Sequence, residues 1–83
     1  MKGFRLCNHD LDNWIESKFH NAIDVVRFIE KHKLSTYEIE WKTSITGEYR
    51  TLLMIKNNVR IYETELFKLP TVFKKLGEWD YGY

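Results

Sequence analysis

"TYEIEWK", Thr36–Lys42, decides how this chain is read. Tyr37, Ile39 and Trp41 alternate with Glu38, Glu40 and Lys42. A period of two is that of a strand with one face buried and one face wet. The same rhythm continues toward the C-terminus. "SITGE", Ser44–Glu48, reads as a turn around Gly47, and "YRTLLMIK", Tyr49–Lys56, as a second strand. Asn57-Asn58 can supply a two-residue turn with positive φ, because asparagine tolerates the left-handed region better than most side chains. "VRIYETEL", Val59–Leu66, is then the third strand of an antiparallel meander.

Toward the N-terminus the period changes. Leu11, Trp14, Ile15, Phe19, Ala22, Ile23, Val26 and Ile29 fall at steps of three and four, the spacing of one apolar helix stripe. Val25 and Phe28 widen it. Asn21, three residues before Asp24, is placed to cap a second helix, so one bent helix and two helices end to end both fit residues 9–33. Lys31, His32 and Lys33 put cations in the last turn, where the helix dipole favours them. "GFRLCN", Gly3–Asn8, alternates Phe4 and Leu6 and reads as a short strand. Pro70 opens a short C-terminal helix with an apolar face of Leu69, Val72, Phe73, Leu76 and Trp79, ended by Gly77. The expected fold is α+β. One long or broken helix packs on a three-stranded meander, with room for an N-terminal edge strand and a short C-terminal helix.

Two-residue turns fix the register. A turn at Asn57-Asn58 places Lys56 opposite Val59 and Met54 opposite Ile61. A turn at Thr46-Gly47 places Trp41 opposite Leu52 and Ile39 opposite Met54. One sheet face then carries Tyr37, Ile39, Trp41, Leu52, Met54, Val59 and Ile61. It is expected to meet the helix, with Trp41 and Ile39 against Ile23, Val26 or Ile29. The other face carries Tyr49, Leu53, Ile55, Arg60, Tyr62 and Leu66 beside acids and threonines. That is more apolar surface than water alone would face.

The 83 residues hold 43% hydrophobic and 30% charged side chains, with 16% aromatic, and suffice for a single domain over residues 1–83. Net charge is +1, and no segment is basic, whereas a nucleic-acid footprint needs clustered Lys and Arg. One cysteine, Cys7, rules out an intrachain disulfide and fits a reducing compartment. "MKGFRLCNHD" lacks the apolar run of a signal peptide, and the longest apolar stretch, Leu52–Ile55, is far too short for a membrane helix. A cytoplasmic protein is expected.

Chemistry-bearing constellations are sparse. Cys7 with His9, Asp10 and Asp12 has the residue types of a nucleophile and base, but catalytic Cys and His come from separate elements meeting in a cleft. His9, His20 and His32 lack the i, i+4 or paired spacing of a metal site. Glu38/Glu40 and Glu63/Glu65 are the alternation of a solvated strand, and no glycine-rich phosphate loop is present. No catalytic residue, metal or cofactor is expected.

Helix–strand–strand–strand–helix is the order of double-stranded RNA-binding domains, but the lysine-rich start of their last helix is missing here. Arg60, Tyr49 and Tyr62 on one face would also suit RNA or single-stranded DNA, the alternative reading. The favoured reading is a non-enzymatic module that binds another protein. Its surface is expected at Tyr49, Leu53, Arg60 and Tyr62, joined by Tyr81 and Tyr83 of the closing "GEWDYGY". A homodimer is a third option. In size and texture the chain resembles small phage-encoded proteins that block or redirect a host enzyme or defence complex. That resemblance, which rests on no motif, implies an inhibitor or modulator.

Overall fold

The computed structural model describes residues 3–8, 15–65 and 69–76. The fold is α+β, built on one antiparallel sheet. Its strands are β1 (Phe4–Asn8), β2 (Ile15–Phe19), β3 (Tyr37–Lys42), β4 (Tyr49–Lys56) and β5 (Val59–Glu63). Helix α1 (Ala22–His32) lies between β2 and β3, and α2 (Thr71–Lys74) follows β5. The order across the sheet is β2-β1-β3-β4-β5.

The expected meander is present as β3, β4 and β5, but the sheet has two strands more. β1 is not at the edge: it pairs with β3 on one side and β2 on the other. β2 and β3 therefore run parallel to each other on either side of β1, and α1 carries the chain between them. The expected helix from Leu11 is also corrected. Residues 15–19 are strand, and the helix begins only after Asn21. The ambiguity is arithmetic. Ile15 and Phe19 are four apart, which fits both a helical turn and an even strand spacing. The break itself falls where the cap residue put it. Asn21 is extended, and its Oδ1 accepts the Asp24 N–H at 2.9 Å. At the other end Lys33 turns left-handed (φ 51°), and its N–H reaches the carbonyls of Ile29 and Glu30.

The core lies between the sheet and the two helices. Phe4, Leu6, Ile39, Leu53 and Ile55 from the sheet meet Val25 and Ile29 of α1 and Phe73 of α2. Phe4 and Phe73 pack edge to face, 5.3 Å between centroids at 84°, an arrangement worth about 0.5–1.5 kcal/mol beyond burial. The phase of α1 differs from the expected stripe. Val25 and Ile29 are its buried centre, with Ala22, Val26 and Phe28 partly buried, whereas Ile23 is half exposed. Ile39 is fully buried as expected, but Trp41 only partly.

The register decides which β4 residues enter this core. Lys56 faces Val59 across Asn57-Asn58, whose φ values of 51° and 65° make the expected tight turn. The β3–β4 connection is wider than a two-residue turn. Thr43 and Gly47 hydrogen-bond across it (Gly47 N–H to Thr43 C=O, 3.0 Å; Thr43 N–H to Glu48 C=O, 2.9 Å), and Gly47 supplies the positive φ of 73°. The wider loop moves Trp41 from Leu52 to Arg50, a two-residue shift that keeps its face, and one further residue inserted in β4 beyond Thr51 makes Ile39 face Leu53, not Met54, and Tyr37 face Ile55. A one-residue slip exchanges the two faces of a strand. Leu53 and Ile55 thus go to the core and Met54 does not. A register shift between Ile39 and Glu40 leaves Leu52 unpaired in the β3–β4 ladder, and Leu52 and Leu53 are buried side by side.

Candidate functional site

Two polar arrangements sit one residue apart on β3. The first surrounds Glu40. Arg5 of β1 is its cross-strand partner and donates from Nε and from one terminal nitrogen, each at 3.1 Å, to the two carboxylate oxygens. The Cys7 thiol donates to the same carboxylate at 3.1 Å. Burial works against the charged carboxylate. The Arg5 and Cys7 hydrogen bonds, with the charge of Arg5, outweigh it and hold the Glu40 carboxyl below its ordinary range. The Arg5 guanidinium also lies 3.9 Å over the Tyr49 ring, a cation–π contact. Every group here is spent on a neighbour.

The second arrangement is open. Trp41 pairs with Arg50 across β3 and β4, and the two border a groove of about 680 Å³. Leu52, Met54 and Tyr62 line it too, as does Ile45 of the β3–β4 loop. Ile45 is 94% exposed and Tyr62 47%. Thr43, Ser44, Thr46, Thr51 and Thr64 complete the lining, and among the described residues Arg50 is its only charged one. Tyr62 belongs to this surface because β5 is bulged. Ile55 faces Arg60 but Met54 faces Tyr62, so Ile61 is the extra residue and the strand twists there.

The expected partner residues are thus distributed differently from the sequence reading. Tyr62 is exposed and lines the groove. Tyr49 is half-buried beneath Arg5. Leu53 is a core residue, carried inward by the β4 slip. Arg60 follows its partner Ile55 and is a clamp. Its side chain, 4% exposed, pairs with Glu63 at 2.6 Å and donates to the carbonyls of Lys74, at 2.8 Å, and Leu76 at the end of α2. Tyr81 and Tyr83, with Trp79 and the rest of "GEWDYGY", lie outside the described residues. The groove residues that sequence reasoning passed over are Trp41, assigned to the core, Arg50, unassigned, and Ile45. An exposed isoleucine in a turn rich in threonine and glycine was the available signal.

Cys7 is buried and directed at Glu40, while His9, Asp10 and Asp12 lie outside the described residues. His32 packs on Phe28, ring centroids 4.4 Å apart, and His20 is exposed. Among the described residues no three His, Cys, Asp or Glu side chains converge as metal ligands, and no helix is long and apolar enough to cross a membrane. No family model, curated protein or solved structure matches the chain at a significant level.

Proposed function

We propose that this protein is a non-enzymatic binding module that engages another protein through the groove bordered by Trp41, Arg50, Met54 and Tyr62. One observation carries the reading. Side chains of the types that dominate protein interfaces, Trp, Arg, Met and Tyr, gather around one open hollow together with an exposed isoleucine. The ionic groups of the Glu40 cluster and the Arg60 clamp, by contrast, are taken up inside the fold. Inhibition or redirection of a partner complex in the cytoplasm is the role such a small module would serve, since it offers a surface and little else.

The test is capture from the cells that make the protein. Wild type is compared with Met54→Lys and Tyr62→Ser, and with Ile23→Ser as a control on the far side of α1. The partner should bind the first two variants at least about tenfold more weakly, roughly 1.4 kcal/mol, and the control as well as wild type. Retention by all three variants alike places the interface elsewhere. Nucleic acid in the captured material, released by nuclease with loss of binding, turns the reading to the RNA or single-stranded DNA alternative.

A further inference from the structure

Three arginines of the sheet lie in three different settings. Arg5 is spent on Glu40 and Arg60 on Glu63 and the α2 carbonyls. Arg50 is exposed, stands opposite Trp41, and is engaged with no acid among the described residues. It is also the groove's only charge among the described residues. The outer edge of β5 is a weaker candidate for contact, because the bulge at Ile61 interrupts the regular ladder another strand would extend.

We propose that the groove takes an extended acidic peptide segment of a partner protein. One carboxylate of that segment pairs with Arg50, and an aromatic or aliphatic side chain beside it fills the hollow between Trp41, Met54 and Tyr62. This rests on the protein-binding reading above. The guanidinium offers a planar fork that matches a carboxylate in two parallel hydrogen bonds, and among the described residues no carboxylate lines the groove to compete for it. The Thr43 and Thr46 hydroxyls are bonded to each other within the loop, and Ser44, exposed between them, suits the amides and carbonyls of an extended chain. A nucleic-acid strand is the poorer match. Its phosphates recur at every nucleotide and call for a run of cations, and the described residues of the groove supply one.

The test uses the full chain. A phage-displayed library of random dodecapeptides is selected on the wild-type protein, and the enriched peptides are synthesised with a fluorophore and measured by anisotropy. They should carry net negative charge and an aromatic or aliphatic anchor. Arg50→Glu should weaken them at least about tenfold. Copies with Lys in place of their acids should bind Arg50→Glu more tightly than wild type. An oligothymidylate is measured in parallel, and circular dichroism verifies that each variant is folded. If no enriched peptide loses affinity for Met54→Ser, both the groove and this proposal fall. Peptides that depend on Met54 but are neutral or basic, or indifferent to Arg50→Glu, overturn the acidic occupant and leave the groove standing. Oligothymidylate binding that is tighter than any peptide and lost in Arg50→Glu overturns the proposal in favour of nucleic acid.

Discussion

Glu40 and Trp41 are neighbours on β3, yet each anchors a different kind of surface. Glu40 is closed in by Arg5, Cys7 and, through Arg5, Tyr49, so charge, thiol and ring are all satisfied within the fold. Trp41 stands with Arg50 at an open groove where the guanidinium meets no acid among the described residues. Both settings combine arginine with an aromatic ring, so residue type does not separate them. What separates them is whether a described residue of the chain supplies the counter-charge. Where it does, the arginine holds strands or helix ends together. Where it does not, the arginine remains free to meet something else.

That distinction makes quantitative claims, and the largest concerns the most deeply committed arginine. Arg60→Ala removes the donors to Glu63 and to the carbonyls of Lys74 and Leu76 in a nearly buried position. It should lower unfolding stability by about 3 kcal/mol, because partners of a buried charge are left unsatisfied. Urea denaturation measures it. A loss under about 1 kcal/mol would show that the clamp is peripheral to the fold.

Glu40→Gln should cost less, about 1–2 kcal/mol near neutral pH, since the pair is only partly buried and a neutral amide keeps some of the hydrogen bonding. The sign of its pH dependence follows from the lowered Glu40 carboxyl. Its contribution is fully present above the unfolded glutamate pKa of about 4.3 and is lost as pH falls through the lower folded value. The gap between wild type and Glu40→Gln should therefore narrow across that acid window and be constant above it. A gap that widens on acidification would contradict a carboxylate held charged by Arg5.

A smaller effect belongs to the tight turn. Asn58 sits at φ 65°, a conformation glycine adopts without strain, so Asn58→Gly should stabilise the β4–β5 hairpin by up to about 0.5–1 kcal/mol. A destabilised variant would mean that the asparagine side chain contributes more than its backbone costs.

Much of the architecture was legible, and the errors share a cause. β3, β4, the Asn57-Asn58 turn, the Asn21 cap and the short helix near Pro70 all announce themselves through local chemistry. β2 was hidden because Ile15 and Phe19 satisfy two periods at once, and only pairing with β1 decides between them. The site was harder. Assigning Leu53 or Arg60 to a face requires the register, and the register depended on one loop and one bulge. The six residues Thr43–Glu48 replaced an assumed two-residue turn and moved the pairing by two, and the bulge at Leu52 moved it back by one and so exchanged the faces of β4 beyond it. The bulge at Ile61 then returned Tyr62 to the outside while Arg60 stayed in. Bulges are long-range compromises between strand twist and packing, and no short window of sequence encodes them.

The smallest expected effect is the one that tests the comparison most sharply. Arg50 is exposed and joined to no acid among the described residues, so Arg50→Ala should leave stability within about 0.5 kcal/mol of wild type. Its aliphatic stem lies opposite Trp41, so some packing is surrendered, and that sets the upper limit. Arg5→Ala, on β1 across β3 from Arg50 and also beside an aromatic ring, should destabilise distinctly more, because it strands the Glu40 carboxylate and uncovers Tyr49. The two variants remove the same side chain from adjacent parts of one sheet, so differences in composition and unfolded-state behaviour nearly cancel between them. Denaturant midpoints measured side by side decide the matter. Equal losses would mean that Arg50 holds the sheet as Arg5 does, and its place at the groove would then be explained by stability alone.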